Sequence, residues 1–128
     1  MKTPAQISIL YAEDNEDAAL MLSTLLGFSG VDVFPVRSVQ AALQAAHRIR
    51  FDLYLLDTRF PDGNGFDLCR QLLELNPQIP VVFYSGAAYE SDKQIALTAG
   101  AKEYLIKPNF EDVAPTIFKL VAKAIETA

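Results

Sequence analysis

Short apolar runs alternate along this chain with longer stretches whose apolar residues recur at helical spacing. Residues 6–12 (Gln-Ile-Ser-Ile-Leu-Tyr-Ala) predict a buried strand. Residues 16–28 predict a helix with Ala18, Met21, Leu22, Leu25 and Phe28 inward, followed by Gly30. A second strand falls at 31–36, where Pro35 lacks the N–H an inner ladder needs and so places it at a sheet edge. Ser38 suits the N-cap of a helix through about Arg50, with Val39, Leu43, Ala46 and Ile49 inward. Residues 52–56 predict a third strand, 61–65 (Pro-Asp-Gly-Asn-Gly) a loop, and 66–75 a helix that stops before Asn76-Pro77. Pro80 opens a fourth strand through Tyr84, and Ser91 with Gln94 predicts a capping box for a helix ending at Gly100. Residues 102–106 predict a fifth strand, and a last helix runs from about Asp112 to Glu126 with Pro115 in its first turn.

Strand and helix thus alternate five times, with connections that suit right-handed crossovers. The strands are apolar without clean alternation, so both faces of their sheet are covered. The predicted fold class is α/β, a doubly wound (βα)5 sandwich with a parallel sheet of order 2-1-3-4-5, which puts the Pro35 strand at an edge.

The 128 residues fit one domain, residues 1–128, and 51% apolar content is ordinary for a globular protein. The net charge of −5 argues against direct nucleic-acid binding, which needs a basic face. No secretory leader or membrane span is visible, so a cytoplasmic location and no membrane partner are expected. Cys69, the only cysteine, sits at an apolar helix position and reads as inert core, and His47 lies near the end of the second helix.

What changes the picture is how the apolar runs end. The first runs into Glu13-Asp14, the third into Asp57, the fourth into Ser85 and the fifth into Lys107-Pro108. In a parallel sheet these ends share one edge, where such folds bind ligands. The first and third strands are neighbours in the predicted order, so Glu13, Asp14 and Asp57 converge. Three clustered carboxylates either retain a proton or bind a cation, and an all-oxygen set at a solvated edge suits Mg²⁺. A carboxylate is also a competent nucleophile toward phosphorus, with Lys107 as a point charge for phosphate and Ser85 as a hydrogen-bond donor. Alone, Asp57 before a Pro/Gly loop would be a turn residue, and Glu13-Asp14 would be acids favouring a helix start. The convergence argues for chemistry. Gly63-Asn64-Gly65 has Leu68 where a dinucleotide fingerprint needs glycine, and Asp57-Thr58-Arg59 lacks the second aspartate of haloacid-dehalogenase-like phosphatases.

Four segments now stand together: Ile9-Leu10-Tyr11-Ala12-Glu13-Asp14-Asn15, Asp57-Thr58-Arg59-Phe60-Pro61-Asp62-Gly63, Ser85-Gly86 and Tyr104-Leu105-Ile106-Lys107-Pro108. Along nearly its whole length the chain resembles the receiver domains of two-component response regulators. The resemblance implies that Asp57 accepts a phosphoryl group from a partner histidine kinase or histidine phosphotransfer protein, the domain catalysing its own phosphorylation and slow dephosphorylation. It implies Mg²⁺ held by Glu13, Asp14, Asp57 and the backbone carbonyl of Arg59. It implies Ser85 and Tyr104 as a switch pair, Tyr104 turning inward as Ser85 withdraws, and a cis peptide before Pro108 that aims Lys107. The face built from helix 4, strand 5 and helix 5 is then read by a downstream effector protein or domain, or pairs two copies as a homodimer.

Phe60 stands where methionine is frequent in that family. Arg59 and Ala87 stand at positions that are variable in that family, where the resemblance implies an influence on the phosphoryl lifetime, and an arginine beside the acidic cluster could pair with Glu13 or Asp14. Two other readings keep the fold: a pseudo-receiver that serves as a protein-interaction module without phosphorylation, and a phosphate sink or relay domain of a hybrid kinase. The intact acid, acid, Asp, Ser and Lys set argues against the first.

Overall fold

A computed structural model describes residues 6–127. Strand β1 (Ile7–Ala12) leads to helix α1 (Glu16–Phe28), and β2 (Val31–Val36) to α2 (Val39–Arg48). Strand β3 (Leu53–Leu56) leads to α3 (Gly65–Leu75), β4 (Val81–Ser85) to α4 (Glu90–Thr98), and β5 (Glu103–Ile106) to α5 (Val113–Thr127) through one 3-10 turn, Phe110–Asp112. The five strands form one parallel sheet in the order β2-β1-β3-β4-β5, as the sequence predicts. Pro35 lies opposite Tyr11 on the edge strand, where its missing N–H leaves no inner ladder unmade.

Each strand feeds two cores. Leu10, Ala12, Tyr54 and Leu56 face the layer containing α2, α3 and α4. Ile9, Tyr11, Leu53 and Leu55 face α1 and α5. The unbroken apolar runs follow from this double coverage.

Several helices differ in detail from the sequence expectation. The buried residues of α1 are Ala19, Leu22 and Leu26, while Met21 is 58% and Phe28 85% exposed. The helix is apolar nearly all round, so spacing alone does not choose its inner face. In α2 the fully packed positions are Ala42, Ala45 and Ala46, with Val39 and Leu43 at the margin. This helix ends at Arg48, which leaves Ile49 exposed. Helix α4 is capped not by Ser91 and Gln94 but two residues earlier, where the Asp92 carboxylate accepts from the Tyr89 N–H at 3.2 Å. The stretch 61–65, expected as plain loop, contains half of a two-residue antiparallel ladder that pairs Arg59 with Asn64 and Phe60 with Gly63. Asn64 then caps α3 by accepting from the Asp67 N–H, so the helix starts at Gly65. Cys69 is buried, and burial pushes its thiol up to about 11, in keeping with an inert core residue. Among the described residues no helix is long and apolar enough to cross a membrane.

Candidate functional site

The sheet register continues just past the strand ends and builds the site. The Glu13 N–H donates to the Val36 carbonyl, the Asp57 N–H to the Ala12 carbonyl and the Lys107 N–H to the Ser85 carbonyl. Three residues far apart in sequence are thereby set side by side at the C-terminal edge. Asn15 caps α1 by accepting from the Ala18 N–H at 2.8 Å, which turns the chain away after Asp14.

Glu13, Asp14 and Asp57 each offer a carboxylate oxygen, and the three lie within 4.8 Å of one another. Glu13 is 1% exposed, Asp57 half-buried and Asp14 exposed. The Lys107 ammonium bridges two of them, donating to Asp57 Oδ2 at 2.9 Å and to Glu13 Oε1. It also lies 5.8 Å from the centre of the Tyr84 ring, within cation–π range. The other Glu13 oxygen accepts from the Asn15 N–H at 3.0 Å. Burial pushes the Glu13 carboxyl above its ordinary value against the opposing pull of Lys107 and the Asn15 N–H. Burial lowers the Lys107 pKa, but its bonds to Asp57 and Glu13 outweigh that and hold it above its ordinary value. Burial, helped by the Glu13 and Asp57 charges, keeps the Tyr11 phenol protonated beneath the cluster.

The loop after Asp57 is tied down at both ends. The Thr58 N–H donates to Asp57 Oδ1 at 2.6 Å, and the Gly65 N–H to the Thr58 carbonyl at 2.9 Å. At the tip, both Asp62 oxygens accept backbone N–H groups of α2, from Val39 at 2.9 Å and Gln40 at 3.0 Å. Gly65 lets α3 approach closely: a Cβ there would sit 2.0 Å from the Asp57 carbonyl oxygen and 2.9 Å from the Phe83 ring. Because the nearer obstacle is backbone, Gly65→Ala should cost about 1–3 kcal/mol or more in urea unfolding, the usual overpacking penalty. An unchanged midpoint would contradict this packing.

Ser85 is buried at the end of β4, and its Oγ lies 2.9 Å from Thr58 Oγ1 and accepts from the Ala87 N–H at 3.1 Å. Tyr104 is 7% exposed, stacks 5.8 Å from Phe83, and donates to the Ala87 carbonyl at 2.6 Å. The tyrosine is thus inward in the conformation in which Ser85 is bonded to Thr58 and Ala87. The Lys107–Pro108 peptide is cis, as the resemblance implies.

Arg59 does not pair with Glu13 or Asp14. Its side chain is exposed and makes no ion pair among the described residues. Arg37, just past the end of β2, instead reaches the Asp14 main-chain carbonyl at 3.4 Å and pairs with Glu16 at 3.5 Å. Sequence reasoning also assigned no role to Thr58, whose partner lies 27 residues away, and only the sheet register could have revealed it. His47 is exposed in the last turn of α2, away from the acidic cluster.

An all-oxygen donor set with one oxygen from each of three carboxylates fits a hard divalent cation such as Mg²⁺. A carboxylate nucleophile with an ammonium alongside fits a phosphoryl group. Known proteins carry the same arrangement of elements. The family described as the response regulator receiver domain matches residues 9–117. The KDP operon transcriptional regulatory protein KdpE of Escherichia coli K12 is 38% identical over 101 residues, covering 79% of this chain and 44% of its own length. A transcriptional regulatory protein of the same organism, CreB, is 35% identical over the same shares. This chain therefore spans less than half the length of those relatives. Among solved structures, a CheY-like receiver domain protein from Methanospirillum hungatei JF-1 superposes with a TM-score of 0.90 at 24% identity, covering 96% of this chain and 99% of its own, a likeness of fold. The receiver domain of sensor histidine kinase PA1611 from Pseudomonas aeruginosa PAO1, which has a magnesium ion coordinated in its active-site cleft, has a TM-score of 0.83 at 25% identity, covering 91% of this chain and 98% of its own.

Proposed function

The chain belongs to the response regulator receiver domain family of two-component signalling, and on that footing we propose that Asp57 accepts a phosphoryl group from a partner's phosphohistidine. The observation that carries this reading is the Lys107 ammonium shared between Glu13 and Asp57, with Asp14 beside them. An Asp57 carboxylate oxygen attacks phosphorus in line, the P–N bond to the donor imidazole breaks, and the nitrogen leaves with its electron pair. Glu13, Asp14, Asp57 and the Arg59 carbonyl would hold Mg²⁺. When bound, the cation supplies positive charge against the phosphoryl oxygens. Lys107 exchanges a carboxylate oxygen for a phosphoryl oxygen, and Ser85 donates to another. The phosphoryl group carries about two negative charges, about one more than the carboxylate it replaces, and this biases the Ser85–Ala87 segment and Tyr104. An effector reads the outcome on the α4–β5–α5 face, where Tyr89, Ile95 and Phe118 are exposed. The intact functional set counts against a phosphorylation-free interaction module.

The direct test is Mg²⁺-dependent labelling by acetyl phosphate. Borohydride should convert the labelled aspartate to homoserine at position 57, and a label mapped elsewhere would end the assignment. Mg²⁺ itself should raise the melting temperature, since it binds only the folded cluster. At ten times its dissociation constant the gain is about 1.4 kcal/mol, several degrees for a domain of this size. Because burial raises the Glu13 pKa, this carboxyl takes up a proton at a higher pH than an ordinary glutamate. Mg²⁺ must displace that proton, so its affinity should fall as pH drops through a range above Glu13's ordinary value. Glu13→Gln should weaken Mg²⁺ binding and flatten that dependence in calorimetric titrations. An equally steep pH profile in the variant would remove Glu13 from the site.

A further inference from the structure

Thr58 and Ser85 are, with Glu13, the only buried polar or charged residues among the described residues. Their hydroxyl oxygens lie 2.9 Å apart, in a line of polar contacts from Asp57 to Tyr104 whose longest link is the one to Asp57. At one end Thr58 Oγ1 lies 3.5 Å from Asp57 Oδ1, the oxygen that also accepts the Thr58 N–H. At the other end Ser85 Oγ accepts from the Ala87 N–H, and the Ala87 carbonyl accepts from the Tyr104 hydroxyl.

The proton order in this line follows from its ends. An ionised carboxylate only accepts, so the Thr58 proton turns toward Asp57. That leaves the Thr58 lone pairs as the acceptor for the Ser85 hydroxyl. Ser85 already uses a lone pair on the Ala87 N–H, and its single proton then faces the Thr58 oxygen, with the Tyr104 hydroxyl as the other oxygen in reach.

We propose that Thr58 is a positioning residue for the phosphoryl site: its hydroxyl holds the Ser85 proton in the free domain and competes with an arriving phosphoryl oxygen for it. The inference rests on the reading of Asp57 as phosphoacceptor and adds a residue that regulates the same site. A phosphoryl oxygen carries charge and wins the Ser85 proton, but the Thr58–Ser85 bond is the cost. A cleft of about 670 Å³ lined by Thr58, Phe66, Gly86, Ala87 and Tyr89 gives the Ser85–Ala87 segment room to make the exchange. Because Ala87 touches Ser85 through its N–H and Tyr104 through its carbonyl, release of Ser85 is felt at the tyrosine.

The test uses beryllium fluoride with Mg²⁺ as the stand-in for the phosphoryl group at Asp57. Affinity is read from the Tyr104 ring resonances, with melting temperature as the folding control. Thr58→Val keeps the side-chain shape and removes the competing acceptor, so it should bind beryllium fluoride about fivefold to tenfold more tightly than the wild type, the worth of about one hydrogen bond. Thr58→Ala should shift affinity in the same direction, and Thr58→Ser, which restores the hydroxyl, should return it to the wild-type value. In a Ser85→Ala background Thr58→Val should have no effect on affinity, because the competition has lost its object. A purely structural role would lower stability and would not produce tighter binding, rescue by serine, or that non-additivity. The inference is overturned if the wild type binds and both Thr58→Val and Thr58→Ala bind no more tightly, or if the gain persists without Ser85. A wild type that takes up neither beryllium fluoride nor acetyl phosphate takes down the phosphoacceptor reading, and this inference with it.

Discussion

An Asp57→Asn chain should take up no label from acetyl phosphate or from a cognate phosphohistidine, while keeping its fold. The carboxamide has nearly the shape of the carboxylate, so the Thr58 N–H at 2.6 Å still finds an oxygen to accept it. It lacks the anionic oxygen that must attack phosphorus, and the Oδ2 position that accepts from Lys107 becomes an NH₂ donor or turns away. Neither Glu13 nor Asp14 can substitute. Glu13 is buried and held by Lys107 and the Asn15 N–H, and Asp14 stands in the open without the Lys107 contact. Label in the variant equal to that of the wild type would mean that another residue is the nucleophile. Removal of one of three clustered carboxylates should also weaken Mg²⁺ binding, so calorimetry on the same variant separates loss of the nucleophile from loss of the cation.

Lys107→Met should slow phosphorylation by about a hundredfold to a thousandfold, the usual effect of deleting one fixed donor to developing charge. Stability gives a second readout. The ammonium is the cation that faces both the buried Glu13 and Asp57. Removing one partner of a buried ion pair costs about 3–5 kcal/mol where the remaining charge cannot be neutralised. Here it can be neutralised in two ways: Glu13 takes up a proton, or Mg²⁺ enters. The variant should therefore be most destabilised at neutral pH without Mg²⁺ and should gain more from added Mg²⁺ than the wild type does. Equal Mg²⁺-induced shifts of melting temperature in the two chains would show that Lys107 and the cation do not share these carboxylates. Unchanged labelling kinetics would remove Lys107 from the transfer step.

Much of the fold was legible because strong local signals agreed. Runs such as Leu53–Leu56 could only be strands covered on both faces, and Pro35 could only sit at an edge. Ser38 was legible as a cap because capping is a contact within one turn: it accepts the Ala41 N–H. The inner face of α1 was not legible, since Leu20, Met21 and Phe28 are as apolar as the residues that pack and the choice lies with the sheet beneath. The start of α4 was missed because Ser91 and Asp92 both suit a helix start, and the path of the chain out of β4 decides between them.

The sequence by itself determined the alternation of elements, the fold class, and which chemical groups stand at the ends of the strands. These follow from hydrophobic period, turn residues and caps, all of which act over a few residues. Only the tertiary structure decided which groups meet. Lys107 joins Glu13 and Asp57 across 94 and 50 residues of chain, Thr58 meets Ser85 across 27, and Arg37 rather than Arg59 reaches the Asp14 backbone. Such pairings depend on parallel register, which carries the ladder one residue past each strand, and on the path of the loop that Asp62 clamps to α2. Both are products of packing between elements distant in sequence, and no local pattern encodes them.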